Sequence, residues 1–395
     1  MFTEKQLFYA CLAQTSPTPL GIEICDAEGV FFIGKDAKKY YDLIAGVSVS
    51  NAGHKNPAVV SALHKQLDAF SHLMVFGELI QAPQTRFAAF ITSLLPQSLN
   101  NVYFVNSGAE AIEGAMKLAK RYTGRTEIVA FKNAYHGSTQ GALSIMGNEC
   151  LKQPFRPLLP DVRFLNFNAE ADLLFITEKT ACVVVEPVQG EAGIVLPVND
   201  FLKKLSARCQ QTGTLLVFDE VQTGICRTGP VFAFEHYQVV PDVLVLAKAL
   251  GGGMPLGAFV ASRQLMSCLA SQPALGHITT FGGHPVSCAG GLAAFEYLTQ
   301  EVTPKQIEAK ADLFYTLLVA CPHVKEIRYL GLLMAVELGD AEKLQRFVSM
   351  GVQKGFISDW FLFCDTAFRI SPPLTISHDE IRDVCRLIGQ VLERV

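Results

Sequence analysis

Short apolar runs without polar alternation limit this chain more than any other feature. They occur at Val102–Val105, Glu127–Phe131, Cys182–Val185, Leu215–Phe218, Val243–Leu246 and Gly257–Val260. Strands covered on both faces read this way, whereas a half-exposed strand alternates. Longer amphipathic patterns lie between the runs, one near Glu110–Arg121. Strands that alternate with helices predict crossover connections, hence an α/β fold with a mostly parallel sheet. The pattern changes after Pro285. A helical stretch at Val286–Thr299 leads to one strand candidate, Leu330–Leu338, and a short one near Phe368–Ile370. This predicts a smaller α+β domain. Strand-like pieces at Gly21–Cys25 and Val30–Ile33 are expected to join it. The expected division is 1–49 with the small domain, 50–285 as the large domain and 286–395 as the C-terminal small domain.

Charge and cysteine usage exclude several classes. The net charge is −4 with no long like-charged run, so neither nucleic acid nor an anionic membrane is an expected partner. Eleven cysteines are scattered without a Cys-x-x-Cys pair, which argues against a disulfide framework or a metal site. Met1–Ala10 carries charges and lacks an apolar signal stretch, so a cytoplasmic location is expected. Val243–Ala261 contains a single charged residue and approaches membrane-span length. Gly251-Gly252-Gly253 and Pro255 interrupt it, so two buried strands around a glycine turn are predicted.

Four local features carry chemistry. Lys248 follows an apolar strand in that otherwise uncharged stretch. Desolvation lowers a lysine pKa and leaves a nucleophilic amine, although a long side chain can also reach solvent or a carboxylate. Asp219 ends another apolar strand, at the edge where parallel sheets bind ligands; a helix-capping aspartate is the alternative. Asn106-Ser107-Gly108-Ala109-Glu110 opens a helix, which suits a phosphate but also matches a capping box. Ala134-Tyr135-His136-Gly137 offers a ring that could stack on a flat ligand.

Taken in order, these features resemble the class III aminotransferases, the ornithine, acetylornithine and 4-aminobutyrate enzymes. The resemblance begins at Asp42-Leu43, Ala45-Gly46-Val47 and Gly53-His54 and ends at Arg369. Its most specific parts are Phe218-Asp219-Glu220-Val221-Gln222-Thr223-Gly224, Arg227-Thr228-Gly229 and Ala247-Lys248-Ala249-Leu250-Gly251-Gly252-Gly253. It implies the aspartate-aminotransferase-like architecture (fold type I) with pyridoxal 5'-phosphate as cofactor. Lys248 would carry the cofactor as a Schiff base and relay the proton. Asp219 would pair with the ring nitrogen, Val221 and Tyr135 would flank the ring, and Gln222 would reach its phenolic oxygen. Ser107, Gly108 and Ala109 would cradle the phosphate, and His136 and Glu186 would complete the surroundings. Thr280 would serve a second subunit, which implies a homodimer with shared active sites. Glu191 and Arg369 would bind substrate, the glutamate masking the arginine until a substrate carboxylate displaces it.

The implied reaction moves an amino group from an amino acid or omega-amine donor to a 2-oxo acid. An aminomutase, a racemase or a decarboxylating transaminase would share the same lysine and aspartate. A non-catalytic cofactor-binding regulator is the alternative from another class, and the chain lacks a basic recognition helix. Two departures bear on specificity. Ser138 stands where ornithine-like members often have a carboxylate-binding arginine, which favours a monocarboxylic acceptor such as pyruvate. His277-Ile278 and Gly283-His284-Pro285 replace the usual His-Gly and Gly-Asn-Pro, and His284 is expected to be an interface hydrogen-bonding residue. Met74 and Phe76 are expected to line the donor pocket.

Overall fold

A computed structural model describes residues 2–395. Near the N-terminus β1 (Ile24–Glu28), β2 (Phe31–Gly34) and β3 (Lys39–Asp42) form an antiparallel ladder. The central sheet contains β4 (Asn101–Val105), β5 (Glu127–Phe131), β6 (Val162–Leu165), β7 (Thr180–Val185), β8 (Leu215–Asp219), β9 (Val243–Leu246) and β10 (Gly257–Ala261). Their order is β4-β10-β9-β8-β7-β5-β6. From β9 to β6 all neighbours are parallel, and β10 runs antiparallel to both β9 and β4. The apolar segment around Lys248 is therefore two adjacent strands joined by a connection that holds a short 3-10 helix, Lys248–Gly251. No helix among the described residues is long and apolar enough to cross a membrane.

Both faces of the sheet are covered, which explains the continuous apolar runs. The Gly108–Thr123 helix lies on one face and buries Ala111, Ile112, Ala115 and Met116. Ser107 caps its start and Gly124, at φ 69°, ends it in the left-handed conformation. Gly114 allows the helix close to β10, because an added Cβ would sit 2.3 Å from the Phe259 ring. The Pro285–Glu301 helix covers the other face and buries Phe295, whose ring meets Phe87 edge-on.

The C-terminal part holds β11 (Glu326–Leu330), β12 (Leu333–Glu337), β13 (Phe356–Ile357), β14 (Trp360–Phe361) and β15 (Cys364–Ile370). The segment predicted as one strand, Leu330–Leu338, instead lies across a hairpin: β11 and β12 pair antiparallel and turn at Gly331-Leu332. Gly331 adopts φ 57°, and an added Cβ would come 2.6 Å from the Thr228 backbone. Apolar residues on both sides of the turn hide it from a reading by periodicity. β13 pairs in parallel with β3, so the N-terminal ladder gains a strand from the far end of the chain.

Two buried ionisable groups tie separate segments of the chain together. Arg227 is 0% exposed and donates to the carbonyls of Leu332 (2.9 Å) and Pro372 (2.7 Å) and to the Asn51 side chain. Burial pushes its pKa down to about 9, against the field of Asp42. Glu220 accepts the N–H groups of Ala233 (2.6 Å) and Phe234 (2.8 Å). Burial raises it from 4.5 to about 8, although those bonds act in the opposite direction.

Arg227→Ala should leave three buried acceptors without their donor and destabilise the fold by roughly 3 kcal/mol or more, read as a lower urea midpoint. Glu220 also predicts a pH dependence. Its folded pKa is raised, so its contribution is full below the unfolded value and is lost as pH rises through the folded one. The melting midpoint of Glu220→Gln relative to wild type should therefore rise by several degrees from about pH 5 to about pH 8. A constant offset would show that Glu220 titrates like an exposed carboxyl.

Candidate active site

The carboxyl ends of the central strands converge on one cavity of ≈ 370 Å³. β8 delivers Asp219, whose register partner on β9 is Val245, and β9 runs into Lys248 three positions later. β7 leads to Glu186, β5 to Tyr135 and His136, and β4 to Ser107 and Gly108; all of these line the cavity. Val221 and Gln222 follow Asp219 on the same loop and line it too. Parallel strands bring residues from distant parts of the chain to one edge, the usual ligand position in such sheets.

Asp219 is 5% exposed and fixed through both oxygens. Oδ1 accepts the Val221 N–H at 3.0 Å, and Oδ2 lies 2.7 Å from His136 Nδ1. A carboxylate only accepts, so His136 carries its proton on Nδ1. Burial alone would lower the His136 pKa, but the hydrogen bond to Asp219 and the fields of Asp219 and Glu186 outweigh it and raise it. Glu186 accepts N–H groups from Tyr135 (3.2 Å) and Gly190 (3.1 Å). Desolvation pushes it up to about 7 despite these bonds and the nearby His136.

Lys248 is half-buried, with φ 51° in the left-handed region. Desolvation lowers its pKa, with Arg369 acting in the same direction; the fields of Glu191, Asp219 and Glu186 oppose them. No hydrogen bond or ion pair to its amine occurs among the described residues. Two buried polar atoms around the cavity also lack partners, Gln222 Nε2 and His136 Nε2. The backbone N–H groups of Gly108 and Ala109 belong to a first helical turn, where no helix carbonyl reaches them. Glu110 does not reach back to the Ser107 N–H as a capping box would; its Oε2 instead accepts Asn106 N–H at 2.7 Å. Gly108 packs under Val221, and a Cβ there would meet both Val221 methyls at 3.0 Å.

Glu191 and Arg369 do not line this cavity and form a buried pair. Arg369 is 1% exposed, and its Nη2 is 3.0 Å from both Glu191 oxygens. The two are brought together as expected. A residue absent from the sequence reading, Asp359, accepts from Arg369 Nε at 2.9 Å. No motif marks Asp359; only the pairing of β14 with β15 brings it alongside Arg369.

Other expected residues lie elsewhere. Thr280 is exposed and does not line its own chain's cavity. Phe76 borders a separate cleft of ≈ 310 Å³ beside Tyr103 and Gly283, and Met74 is 40% exposed. Neither lines the cavity around Lys248 in its own chain. Val49, Met254 and Leu256 supply apolar wall instead. His284 stacks on His72 with ring centroids 5.3 Å apart, and no hydrogen bond to its ring is found among the described residues.

Comparison with known proteins agrees with this geometry. Residues 12–392 match the family described as aminotransferase class-III. The acetylornithine aminotransferase of Methanopyrus kandleri is 38% identical over 375 residues, 94% of each chain. An ornithine aminotransferase structure from Toxoplasma gondii, reported with partial occupancy of PLP at its active site, superposes with a TM-score of 0.90. It is 30% identical and the match covers 98% of this chain and 93% of that one. An omega-transaminase structure from Thermomicrobium roseum gives a TM-score of 0.88 at 27% identity, covering 98% and 97%. The architecture is therefore the fold type I arrangement, and the chain belongs to the class III aminotransferases, a pyridoxal-phosphate-dependent enzyme family.

Proposed function

We propose that this aminotransferase moves an amino group between an amino acid or omega-amine donor and a monocarboxylic 2-oxo acid, with Lys248 as its central amine. The observation that carries the reading is the state of Lys248. It is a desolvated amine with lowered pKa and no partner, at the end of a strand adjacent to the one that bears Asp219. Such an amine can condense with a carbonyl and, once released, accept and return a proton.

The cavity fits pyridoxal 5'-phosphate. Gln222 Nε2 is a buried donor without a partner and suits a phenolic oxygen. Asp219, backed by His136, suits a protonated ring nitrogen, because a fixed anion favours the charged ring. Ser107, Gly108 and Ala109 offer first-turn amides to a phosphate. Val221 and Tyr135 provide walls, and Glu186 holds the Tyr135 backbone in place. When bound, the cofactor supplies an electron sink for the pair released as the substrate carbon loses its proton.

The protein's own residues do the rest. Lys248 moves the proton, Asp219 sustains the ring charge, and Arg369 receives a substrate carboxylate after Glu191 moves aside. Among the described residues no lysine or arginine other than Lys248 lines the cavity, and Ser138 also lines it, 3.3 Å from the Tyr135 hydroxyl. A second substrate carboxylate would thus lack a cation, which supports pyruvate over 2-oxoglutarate. Thr280, exposed and outside its own cavity, suits the site of a second copy, so the working unit is read as a homodimer.

Lys248→Ala should fold yet lose turnover, and Asp219→Asn should slow turnover by orders of magnitude, on the order of 10²-fold or more. Both are read by single-turnover amine transfer; near-normal rates would refute the assigned roles. Pyruvate should be used at least as well as 2-oxoglutarate. Ser138→Arg should shift the kcat/KM ratio toward the dicarboxylate by roughly tenfold. A strong native preference for 2-oxoglutarate would sink the argument from Ser138.

A further inference from the structure

Arg369 is gripped on one edge by two different carboxylates. Asp359 takes Nε at 2.9 Å, and both Glu191 oxygens crowd Nη2 at 3.0 Å. Nη1 is buried and has no partner. The Phe361 ring lies 4.5 Å from the guanidinium carbon and fixes the plane of the group. Backbone pairing holds Asp359 in place, since the Arg369 N–H donates to the Asp359 carbonyl at 2.9 Å.

We propose that Asp359 is a positioning residue for carboxylate recognition: it pins Arg369 through Nε and keeps the Nη1/Nη2 edge available to substrate. This rests on the reading that Arg369 receives the substrate carboxylate. A guanidinium offers two forked edges, Nε with Nη2 and Nη1 with Nη2. With Nε occupied, Glu191 cannot close a fork on the first edge and is restricted to Nη2. The mask over the arginine is therefore half a fork, and Nη1 remains free. When Glu191 leaves, the second edge is the only forked site for an incoming carboxylate.

The exchange also conserves charge. One carboxylate replaces another beside a guanidinium that Asp359 still partly neutralises, so neither state buries an uncompensated cation. Glu191 has one further tie, the Leu362 N–H at 3.1 Å, which opposes its departure. Without Asp359, Nε would be free to pair with Glu191 as well. The mask would then become a full fork and substrates would displace it less readily.

The test uses the cofactor-loaded enzyme, with pyruvate as acceptor and a primary amine without a carboxylate as control donor. Asp359→Ala should raise the pyruvate KM about tenfold and change kcat less than about threefold. Asp359→Asn keeps an oxygen facing Nε and should stay within about threefold of wild type. Asp359→Ser supplies the same measurement if the alanine variant does not fold. A pyruvate KM raised less than about threefold in the alanine or serine variant overturns the proposal. So does an equal loss with the carboxylate-free amine, or an asparagine variant as impaired as alanine. Failure of the underlying reading looks different: Arg369→Ala itself would then leave the pyruvate KM unchanged.

Discussion

Keeping charge in a low-dielectric pocket is the constraint on which this structure depends. At the carboxyl edge of the central sheet stand Lys248, Asp219, His136 and Glu186, and Glu191 and Arg369 form a buried pair whose fields reach Lys248. Each would be costly to bury alone. The protein offsets the cost for most of them with specific partners: the Val221 N–H and His136 for Asp219, two backbone amides for Glu186, two carboxylates for Arg369. Lys248 has no such partner, and that asymmetry sets a depressed amine among stabilised ions.

The scaffold around this edge serves precision. β10 runs against its neighbours, and the connection from β9 to β10 carries Lys248 at positive φ at the start of a 3-10 helix. A non-glycine residue in that region stores strain, which the packed surroundings must hold. Gly108 and Gly190 are close-approach points in the same wall. A Cβ at Gly190 would lie 2.2 Å from Gln222 Oε1, so the glycine makes room for that amide. Arg227 joins the central domain to the β11–β12 turn and to the chain just after β15, the strand that carries Arg369. One buried guanidinium thus ties the loop after β8 to two separate segments of the C-terminal part.

Much of this was legible before any coordinates. Strands such as Cys182–Val185 and Leu215–Phe218 appear as continuous apolar runs because helices cover both sheet faces. Asp219 and Lys248 were recognisable because a charge at the end of such a run must be used or compensated. The Leu330–Leu338 segment misled because hydrophobicity does not register a two-residue turn when apolar residues stand on both sides of it. Met74 and Phe76 lie outside the cavity of their own chain, and nearness in sequence to the matching region does not decide which cleft a loop enters. Asp359 gave no signal, since an aspartate before a tryptophan has many ordinary uses.

Periodicity, run length and residue type are local quantities, and they determined the sheet and its covering helices and marked Lys248 and Asp219 as charges at strand ends. Pairing across long separations is not local. The register that sets Asp219 beside β9, the approach of Glu191 to Arg369 and the grip of Asp359 on Nε arise only when the folded chain brings distant segments together. Burial, and with it every shifted pKa in the site, is decided at that same stage, because desolvation belongs to the surroundings of a side chain and not to the side chain itself.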